Sequence, residues 1–109
     1  MDAYRSFSWK DSHFRIGTDR FRVLTHAIVA TRTELEHYIT RRPEFQTAMQ
    51  PIAADPEAPP SAQRMMRAAA TVGVGPMAAV AGTIAQMAAE QAREAGAQRT
   101  IVENGGDLY

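Results

Sequence analysis

Val72-Gly73-Val74-Gly75-Pro76-Met77-Ala78-Ala79-Val80-Ala81-Gly82 sets two glycines and a proline directly before a run of small apolar residues. Pro76 suits the first turn of a helix, where the N–H it lacks would be unpaired anyway, and Gly73 and Gly75 let the backbone bend sharply just before it. A helix is therefore expected to begin near Gly75. Met77, Ala78, Ala79, Val80, Ala81, Gly82, Ile84, Ala85, Met87, Ala88 and Ala89 make it rich in alanine and apolar on most sides. Glu90, Gln91, Arg93 and Glu94 turn it polar, and Gly96 ends it. A helix that apolar is a buried one.

Downstream, Thr100 to Glu103 reads as a strand and Asn104-Gly105-Gly106-Asp107 as a glycine-bearing turn. Leu108-Tyr109 reads as the start of a further strand. Small side chains at Ala78, Ala79, Ala81 and Gly82 allow another backbone, or a flat ligand, to lie close to the helix. Close packing on a sheet is the plainer reading and a ligand the sharper one. The N–H groups and positive dipole end at Gly75 to Ala78 suit a phosphate or other anion. The Gly-Lys-Ser/Thr of a nucleoside-triphosphate loop is absent, and the glycines do not form the dinucleotide fingerprint.

Val74 to Gly82, together with Ile101-Val102-Glu103-Asn104-Gly105-Gly106-Asp107, resembles the uncharacterised ApbE-like proteins, relatives of the FAD:protein FMN transferases. Leu35-Glu36-His37-Tyr38-Ile39, Pro43-Glu44-Phe45 and Pro51-Ile52 are similar to that family too, so the resemblance covers most of the chain. It implies an α+β fold, with helices packed on one face of a mostly antiparallel sheet. It also implies a flavin nucleotide, FAD or FMN, beside Gly73, Gly75, Pro76, Met77 and Ala78 and beside Asn104, Gly105, Gly106 and Asp107. The phosphate would lie at the helix start and the remainder near the Gly-Gly-Asp turn. Transferases of the wider superfamily move FMN to a protein hydroxyl with magnesium; they carry a lysine in the glycine-bearing segment and bind the metal much further along. This chain has small apolar residues in place of the lysine. A flavin or other nucleotide site, a magnesium-dependent transferase and a non-catalytic assembly module all stay open on the residues. Because the family is longer, the expectation is a single domain over residues 1–109, an N-terminal portion of a longer fold. The sheet would then be completed by further chain, by a partner chain or by a homo-oligomer.

Twelve basic and twelve acidic residues cancel, so no net field draws the chain to nucleic acid or to an anionic membrane. The absence of cysteine removes thiolate zinc sites and cysteine nucleophiles. No apolar run reaches membrane-spanning length and Met1 to Lys10 lacks the apolar core of a signal peptide, so a cytoplasmic setting is the default.

Phe14-Arg15-Ile16 and Phe21-Arg22-Val23 each alternate around Gly17-Thr18-Asp19, which reads as a β-hairpin from about His13 to Leu24. One helix from Thr18 to Arg42 competes, since Phe21, Leu24, Ile28, Leu35 and Ile39 also fit helical spacing. The resemblance favours the hairpin, with Thr25 capping a helix over His26 to Arg41. Pro43 breaks that helix, and a following turn is expected to carry Phe45 and Met49 inward. Pro51 to Pro60, with four prolines, is a loop. Ser61 is expected to cap a helix to about Val72 that buries Met65, Met66, Ala69 and Val72.

Asp107 and Glu103 offer oxygen ligands of the kind magnesium takes, but a metal needs more of them, and the segment reads first as a turn. His13, His26 and His37 lack metal-ligand spacing. Glu36 and Glu44 act as a carboxylate pair only if the fold brings them together.

Overall fold

Phe14 and Ile16 alternate with His13 and Arg15, the period-two pattern of a strand buried on one face. In the computed structural model, which describes residues 4–105 and 107–109, they lie on strand β2 (Ser12–Thr18), and both are buried. β2 pairs antiparallel with β1 (Arg5–Trp9) through the Lys10-Asp11 turn, and on its other side with β3 (Thr100–Asn104). β3 pairs antiparallel with the short β4 (Asp107–Leu108), so the strand order is β1-β2-β3-β4. Val102 and Tyr109 continue that last pairing by exchanging both backbone hydrogen bonds. The register sets Phe7 opposite Phe14 and Phe14 opposite Asn104, with Ile16 opposite Val102, which gathers these side chains on one face.

Helix α1 (Phe21–Arg41) buries Leu24, Ala27, Ile28, Leu35 and Tyr38, spaced three, four and seven apart as one helical face requires. It is followed by the short α2 (Glu44–Thr47) and, after the proline-rich loop, by α3 (Pro60–Val72). α3 ends where Gly73 adopts φ +78, its N–H bonding back to Ala69 and Ala70 while Val74 N–H reaches Ala69 O, a Schellman-type close. Pro76–Ala79 form a tight 3-10 turn that runs into α4 (Val80–Glu94). α4 is the central helix. Its buried Thr83, Ile84, Ala85, Ala88, Ala89 and Ala92 pack it against α1 on one side and β3 on the other. Among the described residues no single helix is long and apolar enough to cross a membrane.

The α+β class, the mostly antiparallel sheet, the proline-rich loop and the glycine-ended central helix all stand as the sequence indicates. The hairpin from His13 to Leu24 does not. Phe21 to Leu24 are the first turn of α1, and β2 finds its hairpin partner on the other side, in Arg5–Trp9. Asp19, expected in the hairpin turn, instead accepts the N–H groups of Gln98 and Arg99 and ties the start of α1 to the entry of β3. Thr25 caps nothing: it lies inside α1, and its hydroxyl donates to Phe21 O. Ser61 is likewise one residue inside α3, where Pro60 fills the first turn, and its buried hydroxyl donates to Glu34. Phe45 is buried as expected, but Met49 is 85% exposed and Val72 is 74% exposed. Both lie where the chain is already leaving its helix, so helical spacing no longer fixes their direction.

Gly75 and Gly73 are glycines for different reasons. A Cβ on Gly75 would sit 1.8 Å from the carbonyl oxygen of Ala48, whereas one on Gly73 would meet nothing within 4 Å. Gly75→Ala should therefore cost about 2 kcal/mol or more, because backbone must move, and Gly73→Ala about 1 kcal/mol, because only the left-handed φ is lost. Urea denaturation of both variants checks the order; equal losses would contradict it.

Candidate functional site

Where α1 and α4 diverge toward the Lys10-Asp11 turn, the small and medium side chains of α4 leave a cavity of about 450 Å³. Leu35 and Ile39 from α1 form one wall, and Met77, Val80, Ala81 and Ile84 form the other. Asn104 and Gly105, at the end of β3, close it at one side, and Asp11, Ser12, Arg32 and Glu36 form a polar mouth. Cavities of this size, apolar with a few fixed polar groups, are the usual form of small-molecule sites.

The mouth is a charge cluster of two cations and two anions. Lys10 Nζ donates to both oxygens of Glu36, at 2.9 and 2.6 Å. Arg32 donates through Nε to Glu36 at 3.3 Å and through its terminal nitrogens to Asp11, Ser12 and the carbonyl of Trp9. The Lys10 hydrogen bond is the main cause holding the Glu36 carboxyl below its ordinary value, and the Arg32 hydrogen bond does the same for Asp11. Lys10 itself adopts φ +54, unusual for a side-chain-bearing residue, in a two-residue turn that its own ion pair pins to α1. The cluster is close to neutral, so it holds the turn and α1 together without presenting a strong field of either sign.

At the closed end, Asn104 is 7% exposed, and its Nδ2 donates to Ala81 O of α4 at 3.2 Å. Gly105 follows with φ +57 and faces the Ala81 methyl.

The residues singled out by sequence divide. Met77, Asn104 and Gly105 meet on the cavity. Gly75 and Pro76 are buried, Gly75 against the backbone of Ala48, so they shape the helix start from behind. Gly73 is the exposed stop of α3. Ala78 is exposed and lines a separate groove with Val72, Val74 and Tyr109. Asp107 stands opposite Asn104 in the β3–β4 pairing, and Gly106 lies outside the described residues. Glu36 and Glu44 do not form a pair: Glu36 holds Lys10 and Arg32, while Glu44 holds Arg42 at 2.7 Å. His13 stands opposite Ser8, its Nδ1 2.9 Å from the Ser8 hydroxyl, and among the described residues no three His, Asp or Glu are grouped as a metal ion needs.

Sequence reasoning missed Lys10, Asp11, Arg32 and the role of Glu36. The available signal was the spacing of Arg32 and Glu36, four apart on one helix face, directed at a turn whose lysine and aspartate complement them.

The AbpE bacteria family profile matches residues 8–109. The chain belongs to that family. As an AbpE bacteria family member it is similar to a UPF0280 protein of Methanocella arvoryzae, 48% identical over 86 residues, which are 79% of this chain and 35% of the relative. It is similar to a UPF0280 protein of Archaeoglobus fulgidus as well, 41% identical over 105 residues, 94% of this chain and 44% of the relative. A third, from Methanosarcina barkeri, is 46% identical over 82 residues, 75% of this chain and 32% of the relative. The chain thus spans between about a third and somewhat under half of the length of these curated relatives. The resemblance to ApbE-like proteins holds at the level of an uncharacterised, ApbE-related family.

A carboxyl whose folded pKa is lowered adds stability that is present above its unfolded value and is lost as pH falls through the folded one. The contribution of Glu36, with an ordinary value of 4.5, should therefore fade below about pH 4.5. Melting temperature measured from about pH 6 to about pH 3 in low salt should fall less steeply for Glu36→Gln than for the parent chain, and the two slopes should converge in molar salt. Parallel curves in low salt would contradict this account of the mouth.

Proposed function

We infer that the cavity between α1 and α4 binds a flavin or another nucleotide with a planar heterocycle. The observation that carries this reading is the pair of facing apolar walls, Leu35 and Ile39 against Val80, Ala81 and Ile84, ending on a buried side-chain amide. Such walls suit the two faces of a ring, and a polar group at the end suits its edge. The family's kinship to ApbE supports the choice of FAD or FMN among ring-bearing ligands. The phosphate end then runs toward the turn at Met77, where the positive end of the α4 dipole favours an anion. The near-neutral cluster at Lys10, Asp11, Arg32 and Glu36 suits the hydroxyl-bearing middle of the ligand better than its phosphate.

A second reading rests on the other side of α4, where the groove lined by Ala78, Val72 and Tyr109 exposes apolar surface. Under it the chain is an assembly module, and a second copy or partner chain covers that groove.

Isothermal titration with FMN and FAD, with and without magnesium, together with the mass in solution, separates the two. The cavity reading expects saturable binding. It also expects Ala81→Leu, which fills the slot, to weaken that binding at least about tenfold, while Ala68→Leu leaves it unchanged, because Ala68 lines the opposite groove beside Val72. Tighter binding in magnesium would extend the reading to a metal-bridged phosphate. A folded chain that binds neither flavin but self-associates, with Ala68→Leu changing its mass, would replace the cavity reading with the assembly one.

A further inference from the structure

Among the described residues Asn104 is the one buried polar side chain lining the cavity, and its orientation is fixed by what it touches. Its neighbour in α4 is a carbonyl, that of Ala81, at 3.2 Å from Nδ2. A carbonyl can be met only by the NH₂ side of the amide, so Oδ1 must turn the other way. The Nδ2 to Ala81 hydrogen bond uses one of the two amide hydrogens, and Asn104 lines the cavity, so Oδ1 and the second hydrogen are the groups it has to offer there. A side-chain amide 7% exposed on a cavity wall, held by a helix carbonyl, favours a ligand that meets its acceptor and its second donor.

On this basis, and resting on the flavin reading above, we propose that Asn104 determines specificity by reading a –CO–NH– edge of the ligand's ring. Oδ1 accepts from the ring N–H, and Nδ2 donates to the ring carbonyl beside it. In a flavin this edge is the imide of the pyrimidine end. The ring then enters with that edge toward β3, its faces against Ala81 and Ile84 on one side and Leu35 and Ile39 on the other. Its ribityl chain leaves past the Arg32 and Glu36 mouth. The Ala81 carbonyl fixes the amide before the ligand arrives, so no side-chain rotation is needed on binding. Gly105, immediately after, keeps this end of the cavity low: its φ of +57 is one that side-chain-bearing residues rarely adopt.

The test changes the ligand before it changes the protein. FMN and its N3-methyl derivative differ only at the imide hydrogen, so the folded chain is the same in both titrations. The parent chain should bind 3-methyl-FMN at least about tenfold more weakly than FMN, since a site built around a donor rejects the analogue that lacks it. A methyl group can also be excluded by its size, so Asn104→Ala completes the cycle. It should bind the two flavins with similar affinity, the ratio falling toward one. If the alanine variant does not fold, Asn104→Thr takes its place, because its hydroxyl can still donate to Ala81. Equal affinity of the parent chain for both flavins overturns the role of Asn104 while leaving the flavin site standing. A ratio that survives in the variant does the same, assigning the discrimination to shape. Absence of binding by FMN itself overturns the flavin reading and this inference with it.

Discussion

Everything in this fold depends on how slim α4 is. Ala85, Ala88, Ala89 and Ala92 are all buried, and through them the helix touches α1 on one side and the sheet on the other. A leucine at any of these positions would push one layer outward by more than a methylene and disturb the close packing of both. The same economy of side chains produces the cavity. Near its start α4 carries Val80, Ala81 and Ile84, α1 carries Leu35 and Ile39, and the two helices no longer fill the space between them. The glycine behind that start completes the arrangement, because only a residue without a Cβ lets the chain lie on the backbone of Ala48.

The polar groups around the cavity fall into two kinds. Lys10, Asp11, Arg32 and Glu36 satisfy one another at the half-exposed mouth, where ion pairs add little stability but set geometry. Their work is to hold a strained two-residue turn against α1. Asn104 is different, buried and tied to a helix carbonyl. The rim is satisfied within itself, whereas the amide at the end of β3 faces the cavity from a position fixed by α4.

Much of this was legible in the residues. Pro76 after two glycines, the alanine run, the apolar strand and the four-proline loop each carry a local cause, and each element stands where that cause puts it. The first strand pair was not legible, because Phe21-Arg22-Val23 alternates for only three residues, while helical spacing from Phe21 to Ile39 runs for nineteen. Over that length the helical period outweighs the short alternation, and Asp19 serves a distant backbone instead of a hairpin. Within the site, Met77, Asn104 and Gly105 were visible as parts of local motifs. The Lys10–Glu36 pair joins residues 26 apart, and no local pattern announces such a contact. Gly75 and Pro76 were visible too, but as candidates to touch a ligand, whereas their burial puts them behind the residues that line the cavity.

The clasp of Asp19 on Gln98 spans 79 positions of sequence, and it sits beside the β2–β3 pairing that joins the two ends of the chain. Closing so large a loop costs entropy before any contact repays it, so this seam should form late, after the more local helical hairpins. The cavity takes its mouth from the early part of the sequence and its floor from the late part. It therefore exists only in molecules that have finished folding, and occupancy of the site would register the completed topology rather than the helical content.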